Sequence, residues 1–379
     1  MLTNDDRTAT TTRPGRRWRG RRIAAGLLSA AAVAGLATGV QAATSGPALA
    51  APPAQLGSAR LDAADSPWSA VRAQAGMPRY YVLGQESKSG GGSLQVRSSA
   101  TGQVISSVST PAACDPKSFK ITTADDRNFV VGCDTPRSKS AIAFYRFRIT
   151  SRGQASGLTP LAIRTPDDSL DGAALSPDGR KLAITMQGFG GVPSGPGALE
   201  VVTLATGATR TWTGSSPYDL SWAGNGRELG LFESSGLYTL NVTAAGSKLN
   251  SAHLVLSRTF KTDGVQTAKL SPDGRTIIAS VTYDLGNQPL HRGTVVGGII
   301  EISARTGKQL GTLQPIHAQY SADGGGSEAG WFATSCLLGP SDPSGNHLLV
   351  SCDHFGRLDR GRFTALPGVP AVTYFNAAW

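Results

Sequence analysis

The side chains in this 379-residue sequence that could do chemistry are few and scattered. Cys114, Cys133, Cys336 and Cys352 are even in number, and no close Cys/His spacing suggests a zinc site. Pairing as disulfides is the chemistry that fits them. Asp167, Asp168 and Asp171 gather carboxylates in one segment and could touch a cation. Three acids fall short of a full oxygen cage, so a solvated acidic loop is the plainer reading. His291, Arg292 and His317 sit in long connections, where the two imidazoles could meet across a channel. A lone surface histidine is more often inert. The sequence contains no Walker, dinucleotide or Gly-x-Ser-x-Gly pattern. It therefore assigns no catalytic residue, no cofactor site and no metal site.

What must position these residues is a repeated bend. Ala174-Leu175-Ser176-Pro177-Asp178-Gly179-Arg180-Lys181-Leu182-Ala183-Ile184 returns as Lys269-Leu270-Ser271-Pro272-Asp273-Gly274-Arg275-Thr276-Ile277-Ile278-Ala279. Proline suits the second position of a type I turn, Asp the third, and Gly the left-handed fourth. An apolar strand follows at once, so each copy spells a β-hairpin. Weaker copies follow the same plan around Asp125, Asn225 and Ser344, and the weakest lies at Gly76-Met77-Pro78-Arg79. With one turn residue as marker (Gly76, Asp125, Asp178, Asn225, Asp273, Ser344), the steps are 49, 53, 47, 48 and 71 residues.

A second tight turn follows in every unit: Thr101-Gly102, Arg152-Gly153, Thr206-Gly207, Ala245-Gly246, Thr306-Gly307 and Arg360-Gly361. Each unit thus reads strand, tight turn, strand, longer loop, strand, tight turn, strand. Four antiparallel strands in 40–50 residues make a propeller blade. No 3.6-residue face persists, and 47 glycines with few charges suit tight turns. The fold class is all-β: a β-propeller of six blades, four antiparallel strands each, with seven blades as the alternative. The segment 371–377 could be a strand that closes the ring. Trp222 and Trp331 are expected on first strands, in the core.

These turns resemble the TolB-type, WD-repeat-like propeller repeats, whose blades carry a Ser-Pro-Asp-Gly-Arg/Lys turn before an apolar strand. The resemblance covers about residues 68–379 and omits the Trp-Asp dipeptides of true WD repeats. It implies the propeller fold and a common role in protein binding, with no catalytic residue to carry over.

The repeat alignment then places the cysteines. Cys336 and Cys352 stand eight residues on either side of Ser344, facing one another across a hairpin. Cys114 lies eleven residues before Asp125 and Cys133 eight after, so a pair there needs extra residues in between. Both pairings, Cys336–Cys352 and Cys114–Cys133, are expected.

The segment ahead of the repeats has an export layout. Arg16 to Arg22 is basic, Ile23 to Val40 is uncharged, and Ala48-Leu49-Ala50 is a small-x-small site. Residues 1–50 read as a signal peptide or a single membrane anchor, 51–67 as a linker, and 68–379 as one propeller domain. Residues 1–50 carry seven Arg and two Asp, so 36 basic and 26 acidic residues fall to 29 and 24 beyond them. That excess does not call for nucleic acid.

Strand parity puts both tight turns of each blade on one face of the disc and the longer loops on the other. Loops on a rigid scaffold usually carry function. The leading expectation is a secreted or extracytoplasmic, monomeric, non-enzymatic propeller that binds a protein, peptide or envelope component through the long-loop face. Asp167, Asp168, Asp171, His291, Arg292 and His317 are its candidate contacts. The alternatives are a propeller hydrolase or lactonase with an acid/His or metal site at the channel mouth, and a membrane-anchored sensor.

Overall fold

The computed structural model describes residues 76–86, 91–135, 141–163, 165, 169–187, 197–215, 217–260, 263–286, 289–321, 330–332, 336–342, 344–352, 354–359, 361–369 and 376–379. The proposed signal segment and linker lie outside them. The described part is a β-propeller of six blades. Five blades present four-stranded sheets, and the fifth carries one extra short strand.

The six innermost strands are Ala377–Ala378 (blade 1), Lys120–Thr123 (blade 2), Ser169–Leu175 (blade 3), Asp219–Trp222 (blade 4), Asp263–Leu270 (blade 5) and Leu337–Ser341 (blade 6). Within each blade the strands are here lettered A to D outward. In blades 2 to 6 every neighbour pair is antiparallel, as the hairpin turns require. Blade 1 borrows its strand A from the end of the chain: Val82 pairs with Ala378 and Leu83 with Ala377. This explains why the first turn copy is the weakest. No hairpin exists at Gly76–Arg79, because the strand before it comes from elsewhere. The closing strand anticipated near 371–377 is thus present at Ala377–Ala378.

The alternative of seven blades fails on the long last step. Among the described residues that step holds a two-stranded ribbon, Gln319–Ser321 against Gly330–Phe332, and no four-stranded sheet. Trp331 lies in this ribbon, not on a blade's first strand. Trp222 is buried on strand A of blade 4, as expected, and its indole N–H donates to the Ala174 carbonyl of blade 3 at 2.9 Å.

The core is a set of six wedges, one between each pair of neighbouring blades. Strand alternation makes this possible. Tyr81 and Leu83 face blade 6, while Val82 from the same strand faces blade 2. A strand packed on both faces reads as a continuous apolar run, which is how Leu182-Ala183-Ile184 and Ile277-Ile278-Ala279 appear in the sequence. Gly179 and Gly274 take φ of +68° and +70° in the two clean turns, where a side chain would be strained. Asp178 and Asp273 occupy the same setting in these two turns, each beside the serine that opens the bend.

Candidate functional site

The A strands leave their inner edges unpaired around the axis, so their backbone groups need other partners. Side chains of neighbouring blades supply several. Thr122 Oγ1 accepts the Leu175 N–H at 2.8 Å, and Ser221 Oγ accepts the Leu270 N–H at 2.9 Å. Asp134 accepts the Leu170 N–H at 2.9 Å and the Ser169 hydroxyl at 2.7 Å. Ser280 Oγ accepts the Cys336 N–H at 3.2 Å. These cross-blade bonds hold the strands at a fixed spacing around a channel of about 420 Å³, lined by residues from all six A strands.

The channel wall is charged in the half nearest the long loops. Lys120 opens the A strand of blade 2, Asp219 opens that of blade 4, and Asp171 lies in that of blade 3. Asp219 pairs with the Lys269 ammonium and accepts the Thr267 hydroxyl at 2.9 Å. The Lys120 ammonium makes no hydrogen bond or close ion pair among the described residues. Burial lowers its pKa below the ordinary 10.5, while Asp171 and Asp219 pull it upward and Lys269 opposes them. At the mouth stands Tyr218, 40% exposed, which accepts a hydrogen bond from the Arg258 guanidinium. Burial pushes the Tyr218 phenol up, against the pull of Arg258.

The expected contacts distribute as follows. Asp171 lines the channel. Asp167 and Asp168 lie outside the described residues. His291 and His317 both belong to blade 5, His291 in the loop before Val295–Ser303 and His317 at the end of Gln309–His317, and do not meet across the channel. His291 Nδ1 is 3.0 Å from Thr294 Oγ1, and His317 Nδ1 is 3.2 Å from the Gly293 carbonyl. Arg292 is exposed beside them. Asp284 accepts the Gly286 N–H at 3.0 Å within its loop. Among the described residues no three His, Cys, Asp or Glu side chains gather as metal ligands would.

Sequence reasoning passed over Lys120, Asp219 and Lys269. A signal existed. Lys120 lies three residues before Thr123, Asp219 three before Trp222 and Thr267 three before Leu270, and these three end residues share one register position next to strand B. Aligning the strands before the turns, as well as the turns, collects the polar residues of the channel.

Both disulfides are present, Cys114–Cys133 and Cys336–Cys352, and no free cysteine remains. Cys336 and Cys352 flank the paired ends of the first two strands of blade 6. The extra residues needed ahead of Cys133 form a short 3-10 turn, Pro116–Ser118, capped by Asp115. Two disulfides fit an oxidising, extracytoplasmic setting. No helix of the described residues is long and apolar enough to cross a membrane.

The class is therefore a six-bladed propeller with a charged axial channel. No protein-family model and no curated protein matches the sequence. Solved structures similar to it include TolB from Acinetobacter baumannii, at 16% identity over 79% of this chain and 65% of that one, TM-score 0.46. A prolyl endopeptidase is similar at 13% identity over 79% and 40%, TM-score 0.45. The periplasmic gluconolactonase of Pseudomonas aeruginosa is similar at 12% identity over 77% and 97%, TM-score 0.41. The chain spans less than two thirds of the first two of these.

Proposed function

We propose that this is an exported propeller that binds a protein, peptide or cell-envelope component through its long-loop face, with the loop-side half of the channel as the recognition pocket. Export is supported by the basic, apolar and small-residue order of residues 16–50 and by the two disulfides. Binding rests on one observation above the others. Lys120 sets its ammonium in a concave channel wall with no side-chain hydrogen bond among the described residues, in the field of Asp171 and of Asp219, which is itself paired with Lys269 and Thr267. A ligand that brings its own acceptor satisfies that donor.

The test is capture from a cell-envelope extract by the full chain, by a Lys120→Met variant and by a variant lacking 322–329. That deletion spares the strands Gln309–His317 and Gln319–Ser321. A partner lost from both variants supports the reading; identical capture by all three removes it. A second reading uses the same wall. Lys120 and Asp171 at one mouth could serve proton transfer in a hydrolase or lactonase. Lactone turnover by the chain, abolished in Lys120→Met, would put that reading first.

A further inference from the structure

The opposite face carries a separate feature. In the A–B turns of blades 2 to 5 an acid or amide captures the backbone N–H two residues on, whereas in blade 6 Asp342 takes that of Ser344 at 3.1 Å. Asp125 takes that of Arg127 at 2.8 Å, Asp178 that of Arg180 at 3.0 Å, Asn225 that of Arg227 at 2.8 Å, and Asp273 that of Arg275 at 3.0 Å. In blades 2 to 5 the captured residue is an arginine. Its backbone is tied to the turn, and its guanidinium is left outside. All four arginines are exposed. The guanidinium groups of Arg180, Arg227 and Arg275 make no hydrogen bond or close ion pair among the described residues, although Asp178 lies in the field of Arg180, and Arg127 has only Asp126, at 3.8 Å. Arg79 is exposed at the corresponding place before blade 1. The C–D turns add the exposed Arg152 and Lys308 on the same face. Asp178 and Asp273 accept the serine hydroxyls of their own turns.

We propose that this turn face docks on an anionic phospholipid bilayer, with the long-loop face directed away from it. Three observations select that partner. The cations form a ring on several blades, so no single small ligand reaches them together. The connections on this face are mostly tight turns, so a planar surface can touch several arginines at once; the longest lies between Asn241 and His253. The chain also joins the propeller here: Gly76 precedes Tyr80–Glu86 at its turn-face end, and the apolar run Ile23 to Val40 lies upstream. Guanidinium matches lipid phosphate in charge and geometry.

The experiment uses the full chain and two double variants, Arg180→Gln with Arg275→Gln on the turn face, and Lys117→Gln with Arg292→Gln on the loop face. Each is partitioned onto mixed phosphatidylglycerol–phosphatidylcholine vesicles and onto phosphatidylcholine alone. Each basic residue near an anionic surface is worth roughly fivefold in partitioning, so the turn-face pair should weaken binding to the mixed vesicles on the order of 20-fold. The loop-face pair should change it by less than about twofold, because those residues point away from the membrane. Binding to phosphatidylcholine, which any apolar insertion would give, should be the same in all three. The N-terminal arginines are common to all three and cancel. Both variants keep the backbone bonds of the turns, so an unchanged melting curve confirms the fold. Equal weakening by the two pairs, no weakening by the turn-face pair, or equal loss on phosphatidylcholine overturns the proposal. An acidic protein as the true partner would show itself as vesicle binding without charge selectivity.

Discussion

Lys120 shows how a single side chain can report on its surroundings. Its pKa is lowered, by burial first, with Asp171 and Asp219 offsetting part of that. Between the lowered value and the ordinary 10.5, the unfolded chain holds more protons than the folded one. Stability from this group therefore rises as pH climbs through that window, and the charged form weighs on the fold below it. A Lys120→Met variant removes the titration. It should be at least as stable as the parent near neutrality, and the difference in melting temperature should shift in the parent's favour toward pH 10.5. A difference that stays constant with pH would refute the account. Gly230 makes a second test at this scale. A Cβ there would stand 2.7 Å from Ser221 Oγ and 2.9 Å from Leu270 Cβ, where blade 4 meets blade 5. The Ser221 hydroxyl is the one that accepts the Leu270 N–H. Gly230→Ala should cost about 1–3 kcal/mol in denaturant unfolding, as overpacking does.

At the scale of elements, the disulfides act on single blades. Cys114–Cys133 closes a sequence separation of 19 and anchors the 3-10 turn to strand B of blade 2. A loop of that size gives about 3 kcal/mol in the chain-entropy picture. Cys114→Ser with Cys133→Ser should lower stability by roughly that amount, with the six-bladed fold retained by circular dichroism. The same scale shows what the sequence makes visible. The Ser-Pro-Asp-Gly-Arg turn is local chemistry, since its bonds run between residues two to five apart, and so it is legible in one chain. The strand pattern that follows it is legible for the same reason. The channel is not, because it depends on register between strands some fifty residues apart. Thr267 reaches Asp219 across 48 positions, and Lys269 reaches it across 50. His291 and His317 looked like partners across the axis because both lie in long connections. Both belong instead to one blade, His317 at the end of its outermost strand and His291 in the loop before Val295–Ser303.

For the whole molecule the decisive junction is where the ring closes between blades 6 and 1. Two devices hold it. One is polar: Arg357 donates to the Asp359 carboxylate at 2.6 Å and also to the Ser99 carbonyl of blade 1, while His347 lies 2.7 Å from the other carboxylate oxygen. Burial raises the Asp359 pKa, but the hydrogen bonds of His347 and Arg357 outweigh it and leave the group below 3.8. Its contribution is then present above the unfolded value and is lost as pH falls through 3.8 toward the folded one. Asp359→Asn should therefore be less stable than the parent at neutral pH, and the gap should close on acidification; a gap that persists below the carboxylate range would refute this.

The other device at that junction is the closing strand. Gly84 and Asn376 exchange bonds at 2.9 and 2.7 Å, Ala377 and Ala378 cover the inner edge of Tyr80–Glu86, and Trp379 is fully buried in the last wedge. Packing and edge coverage can be separated by experiment. Trp379→Ala empties the wedge but leaves the strand, so it should lower stability by about 3–5 kcal/mol and leave the chain's mass in solution unchanged. Removing 376–379 also bares the backbone of a strand edge, which pairs readily with another chain. That shortened chain should associate in a concentration-dependent way, seen by light scattering, beyond anything the Trp379→Ala variant shows at equal stability. If both variants scatter alike, burial of the indole alone closes the ring, and the two-residue strand contributes no protection of its own.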